Sequence, residues 1–138
     1  MSDSVFVDTN IWLYSLIQTS ANDPRHQVAV NFLDRIALPV ISTQVIREAT
    51  SNLIKKTQIT ESAIRALISG WYQDCTVQRS SESQFLRASG LRELYSFSYW
   101  DSLIVAAALE AKCTILYSED MQHGQLIEGN MRIINPFV

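Results

Sequence analysis

The sequence is poor in residues that punctuate or staple a chain: its 138 residues include four Gly, three Pro and two Cys. So little Gly and Pro excludes a collagen-like or low-complexity chain. Cys75 and Cys113 stand far apart and form no CxxC pair, so they give no disulfide framework and read as free, buried thiols of a reducing compartment. No apolar run approaches the roughly 18 residues that a membrane-spanning helix needs. The opening Met1-Ser2-Asp3-Ser4 is acidic rather than basic, unlike a signal peptide. These absences predict a soluble, cytoplasmic protein with no membrane partner. A basic excess is missing too, because 11 Lys and Arg face 14 Asp and Glu for a net charge of −3. Electrostatics over the whole chain therefore weakly repel nucleic acid, and any handling of RNA or DNA needs a local basic patch or a bound cation.

What the chain does have is apolar content, 47% of residues, enough for one core without disulfides or a structural metal. Elements alternate along it. Val5–Val7 reads as a buried strand, and Asp8-Thr9-Asn10 then caps a short helix over 11–17. Asn22-Asp23-Pro24 opens a helix to about Ile36. Leu38–Ile41 is a second strand, followed by helices from Thr43 to about Lys56 and from Thr60 past Trp71. Cys75–Val77 is a weak strand, Ser80 or Ser81 caps a helix to about Tyr95, and Ser98 opens a very apolar helix over 99–111. Thr114–Tyr117 and Met131–Ile134 are strands separated by a loop. Strands alternating with helices predict a single α/β domain over 1–138, with a central parallel β-sheet flanked by helices on both faces.

In such a sheet, ligands bind outside the carboxyl ends of the strands. Asp8 follows the first strand directly, and Asp120 lies just beyond the strand that ends at Tyr117. Either alone is equally well a capping residue. Asp101 is harder to dismiss, because it opens a helix whose next eight residues contain one polar side chain. A helix apolar all round is buried among neighbours. Its dipole favours the carboxylate by only about 0.3–1 kcal/mol, and Lys112 is three turns away. Glu48 borders the apolar stripe of Val45, Ile46, Ala49 and Leu53, with Asn52 one turn on and suited to orient its carboxylate. Crowded carboxylates cannot all ionise without cations. An all-oxygen set suits Mg²⁺ or Mn²⁺ rather than zinc, and one or two such ions can activate water against a phosphodiester. A bound cation would also reconcile an acidic protein with a polyanion.

These residues in this order resemble the PIN-domain family of metal-dependent ribonucleases, especially the VapC-type toxins of type II toxin–antitoxin systems. The matching stretches are Phe6-Val7-Asp8-Thr9-Asn10, Val45-Ile46-Arg47-Glu48, Ser98-Tyr99-Trp100-Asp101-Ser102 and Leu116-Tyr117-Ser118-Glu119-Asp120, with Ile133-Ile134-Asn135-Pro136-Phe137 closing the chain. No single stretch is specific; the ordered set is. The resemblance implies that Asp8, Glu48, Asp101 and Asp120 form an acidic metal-binding quartet, with Asp120 preferred over its neighbour Glu119. It implies that Thr9 or Asn10, and Ser118, support those acids by hydrogen bonding. It further implies an endoribonuclease leaving 5′-phosphate and 3′-hydroxyl ends, an RNA substrate, a homodimer, and a small antitoxin protein that wraps the toxin. The alternative is a catalytically silent PIN module that binds RNA or a partner protein.

Other residues point less sharply. His26 and His123 lack partner acids at useful spacing and read as surface or loop residues, while Trp12, Trp71 and Trp100 read as core or interface residues. Arg79, Arg87 and Arg92 are candidate phosphate contacts or a solvated helix face. Phosphatases of the haloacid-dehalogenase type need a second Asp where Asn10 stands, and receiver domains need an acidic pair and a late Lys that are absent.

Overall fold

A computed structural model describes residues 4–18 and 20–138. Met1-Ser2-Asp3, weighed above against a signal peptide, lies outside the described residues. The chain runs β1 (Val5–Val7), α1 (Thr9–Leu16), α2 (Arg25–Asp34), β2 (Val40–Ser42), α3 (Thr43–Lys56), α4 (Glu61–Asp74), β3 (Thr76–Gln78), α5 (Glu82–Leu94), α6 (Tyr99–Glu110), β4 (Ile115–Tyr117), β5 (Leu126–Ile127) and β6 (Met131–Ile134).

The strands form one sheet in the order β3-β2-β1-β4-β6-β5. Every pairing is parallel except β5 with β6. The expected α/β domain is thus present, and the antiparallel β5 is an addition to it. Its two residues are too few to show an alternating pattern, and Glu128 and Gly129, both at positive φ, turn the chain into β6.

Capping chemistry sets where the helices begin. Ser42, Thr60, Ser81 and Ser98 accept from the backbone N–H of Val45, Ala63, Gln84 and Asp101, opening α3, α4, α5 and α6. Helix α1 starts at Thr9 rather than Ile11, because Asp8 itself is the cap. The second helix starts at Arg25, with Pro24 already helical at its N-cap. Pro39 stands before β2 rather than within it; lacking an N–H, it pairs through its carbonyl, which accepts from Thr76.

The main core packs Phe6, Ile41, Leu116 and Ile133 of the sheet with α3, α4, α5 and α6, and a second cluster joins Val7 of β1 to Ile11 of α1 and Ala29 of α2. Helix α6 is its centre: Ser102 through Leu109 are all buried. Trp71 is buried and meets Trp12 edge-on, whereas Trp100 is 62% exposed and belongs to no core. Cys75 and Cys113 are buried and unpaired. Burial pushes both thiols above their ordinary range. Among the described residues no helix is long and apolar enough to cross a membrane.

Candidate active site

From β1 the sheet extends to β2 and β3 on one side and to β4 and β6 on the other. The ends of β1 and β4 therefore flank the point where the strand order reverses, the place where open sheets bind ligands. Val7 pairs with Tyr117, so the two chains leave the sheet side by side, and Asp8 N–H donates to the Tyr117 carbonyl at 3.0 Å.

Asp8 is 8% exposed and doubly held. One carboxylate oxygen accepts from Thr9 N–H at 2.7 Å and the other from the Ser118 hydroxyl at 2.9 Å. The Thr9 hydroxyl donates to Glu48 Oε1 at 3.0 Å, tying the end of β1 to α3. The Asn10 side-chain amide donates to Asp120 Oδ2 at 2.8 Å, tying α1 to the loop after β4. Capping, hydroxyl and amide donors thus connect three of the four predicted acids. The fourth, Asp101, sits half-buried in the first turn of α6 and shares with Asp120 a cavity of about 370 Å³ walled also by Tyr95, Phe97 and Met121. Its backbone N–H donates to the Ser98 hydroxyl, but no donor meets its carboxylate among the described residues.

Burial pushes the Asp8 carboxyl up to about 7, with the charges of Glu48 and Asp120 adding to it and the donors Thr9 and Ser118 opposing it. Partial desolvation, then the charges of Glu119 and Asp101, raise the Asp120 carboxyl as well. Among the described residues, the ion pairs join Arg25 to Asp23 and Arg87 to Glu110 and Glu128, and none reaches these four acids. Nor do three acidic, histidine or cysteine side chains converge there as a closed metal cage would require. What remains is a set of oxygen donors with excess negative charge, pre-oriented by hydroxyl and amide groups. That set fits Mg²⁺, which takes one or two carboxylates and keeps several waters.

Two expected roles change. Asn52 does not orient the Glu48 carboxylate; its amide donates to the Glu48 backbone carbonyl at 2.8 Å, the back-bond natural between residues four apart on a helix. Thr9 takes the place proposed for it. Arg87 and Arg92 are not free for phosphate: Arg87 bridges Glu110 and Glu128, and Arg92 donates to the Ser102 hydroxyl beneath the Tyr99 ring. His26 of α2 meets the Tyr14 carbonyl of α1, and His123 accepts from the Asn135 N–H.

Sequence reasoning missed Tyr14. Its hydroxyl donates to Glu119 Oε1 at 2.8 Å and accepts from Arg25 at 2.7 Å, which ties Glu119 to α1 and α2. Burial and the Glu119 bond push the Tyr14 hydroxyl up to about 12. The signal was available, since Tyr14 lies one helical turn beyond Asn10 and so on the same face.

Set beside known proteins, the chain shares its fold with two solved structures. A chain of a toxin–antitoxin complex from Klebsiella pneumoniae is 18% identical, with a TM-score of 0.69, over 96% of this chain and 97% of that one. VapC20 of Mycobacterium tuberculosis, a sarcin–ricin loop cleaving toxin, is 20% identical with a TM-score of 0.65, over 85% of this chain and 90% of that one. No curated protein matches it in sequence. The model of the PIN domain matches residues 5–126, a span that holds Asp8, Glu48, Asp101 and Asp120. The chain belongs to the PIN domain family.

Proposed function

We propose that the protein is a metal-dependent endoribonuclease, the toxin of a toxin–antitoxin pair, and that Asp8, Glu48, Asp101 and Asp120 hold one or two Mg²⁺ or Mn²⁺ ions. The observation that carries the reading is the uncompensated negative charge around Asp8, a buried carboxylate raised to about 7 in a site that no Lys or Arg neutralises among the described residues. When bound, such ions supply a Lewis acid for the phosphate and a water acidic enough to attack it. The protein's own part is positioning. Thr9 N–H and Ser118 fix both oxygens of Asp8, the Thr9 hydroxyl fixes Glu48, and Asn10 fixes Asp120 at the exposed rim. In this reading Asp101, which shares a cavity with Asp120, supplies the fourth acid from α6. No side chain is needed as nucleophile.

The same reading places an antitoxin in the apolar groove of about 680 Å³ between α1, α2 and α4, walled by Trp12, Leu33, Ile36, Leu67 and Trp71. It joins two copies as a homodimer, for which Leu86 and Leu94 offer exposed apolar surface on α5. It sets the protein in the cytoplasm, where unpaired thiols such as Cys75 and Cys113 persist. The deciding experiment incubates purified, antitoxin-free protein with total cellular RNA in Mg²⁺, Mn²⁺ or EDTA, beside Asp8→Asn prepared identically. Discrete cuts that need metal and vanish in the variant are the expected result. RNA that is bound but never cut would overturn it in favour of a silent binding module.

A further inference from the structure

A second cavity, of about 550 Å³, opens between α3, the start of α5 and the first turn of α6. Glu48 forms part of its wall, so it adjoins the proposed metal-binding acids. Three aromatic side chains line it and remain exposed: Phe85 at 49%, Tyr99 at 50% and Trp100 at 62%. Such grouped apolar exposure marks an interaction surface. Arg47 lines the same cavity and has no carboxylate partner among the described residues. The exposed Arg79 precedes Ser80 of the cavity wall and is likewise unpaired there. In a chain of net charge −3, two free guanidinium groups beside one cavity form a local site for an anion.

Gln84 is the most informative wall residue. It is 3% exposed, and its Nε2 donates to the Leu103 carbonyl at 3.0 Å, which fixes which end of the amide is oxygen. Its Oε1 is buried without a partner. An orphaned acceptor is costly, and the fold does not require it, since Ser81 already caps α5 and an apolar side chain of that volume would fill the space. The amide keeps an acceptor and a second N–H. That pair matches the N6 amino group and N7 of adenine, while aromatic faces stack bases of any kind.

We propose that this cavity is a nucleobase subsite that seats one base of the bound RNA against Trp100 and Phe85 and prefers adenine through Gln84. The proposal rests on the nuclease reading for its substrate, and continuity with Glu48 places the base beside the bond to be cut.

The test uses the full chain carrying Asp8→Asn, in Mg²⁺ buffer, so that RNA is held and not consumed. Tryptophan fluorescence follows titration with a uridine hexamer and with the same hexamer bearing one central adenosine. We expect about tenfold tighter binding of the adenosine oligomer, with quenching of Trp100. Adding Trp100→Ala should abolish the quench and weaken binding about tenfold, and adding Gln84→Met should keep the quench but erase the preference. Equal affinity for the two hexamers, or a preference that survives Gln84→Met, overturns the proposal. Should Gln84→Met fail to fold, Trp100→Ala decides, because Trp100 is exposed and outside the core. A sedimentation experiment in which Trp100→Ala turns dimers into monomers, with no quench by RNA in the parent, would assign the surface to a second copy and also overturn it. Failure of the nuclease reading looks different: wild-type protein leaves RNA uncut in Mg²⁺ or Mn²⁺ while the adenosine preference persists.

Discussion

The two halves of the candidate site are built differently. At the β1 and β4 ends, each acid is held by a donor from another part of the chain: Asp8 by Ser118, Glu48 by Thr9, Asp120 by Asn10. At the start of α6, Asp101 has helix geometry and a shared cavity but no donor on its carboxylate among the described residues. Folding alone sets the first half. The second half has no such hold among the described residues. The difference separates acids whose conflict the fold must contain from an acid that carries little of that burden.

Asp8→Asn should produce the largest effect and break the first half. Replacing a metal-holding carboxylate should cost more than the 10- to 100-fold typical of a supporting residue, measured as RNA cleavage in Mg²⁺. Stability should move the opposite way. The folded state holds the Asp8 proton up to about 7, against an ordinary value of 3.8. Between those values unfolding releases a proton, so the metal-free wild type loses stability as pH rises and has lost all of this contribution above about 7. Each tenfold in proton affinity is worth about 1.4 kcal/mol. Asn carries no charge to bury, and the Ser118 hydroxyl can turn from donor to acceptor. In EDTA, Asp8→Asn should therefore melt about 5 °C or more above wild type at pH 8 and close to it at pH 4. A variant that melts lower at both values would make Asp8 a structural cap.

Asp101→Asn should match that loss of cleavage while reversing the sign on stability. Among the described residues only the helix dipole and solvent favour its carboxylate, so the metal-free variant should lose no more than about 1 kcal/mol by denaturant unfolding. If Asp101→Asn instead stabilises the protein as much as Asp8→Asn, the two halves are under the same strain and the contrast fails.

Ser118→Ala should act more gently and on one half only. The hydroxyl is fully buried and its bond to Asp8 opposes the rise of that carboxyl. Removing it should lower Mg²⁺-dependent cleavage about 10- to 100-fold, with excess Mg²⁺ restoring part of the rate. Loss that no Mg²⁺ concentration relieves would place Ser118 outside the metal's support.

The contrast also explains what the sequence disclosed. Elements with strong local signals were legible: the β-branched and aromatic run Val5–Val7, the capping Ser and Thr residues, and the apolar run of α6. So was the alternation that makes a parallel sheet, and with it the edge where Asp8 and Asp120 emerge. Side-chain partnerships across that edge were only half legible, because they depend on rotamers that spacing does not fix. Thr9 and Asn10 were both candidate supports, and only the folded chain divides them between Glu48 and Asp120. Asn52 was misplaced because a helical Asn has a nearer acceptor, the carbonyl one turn back. The β5 strand was hidden by its brevity, and Gln84 by its ordinariness, since an unpaired oxygen exists only after packing.

Asn52→Ala should have the smallest effect and sharpens the comparison from outside it. Its amide bonds a backbone carbonyl already engaged in α3, so its loss should leave cleavage within about twofold and stability within about 0.5 kcal/mol. Asn10→Ala, read in the same assay, should fall between this and Ser118→Ala, because its bond to Asp120 lies at the solvent-exposed rim. An Asn52→Ala protein that folds normally yet cuts as poorly as Ser118→Ala would show that the amide leaves its carbonyl when RNA binds and swings to Glu48. The α3 side would then belong with Asp101, among the parts of the site that substrate and metal complete.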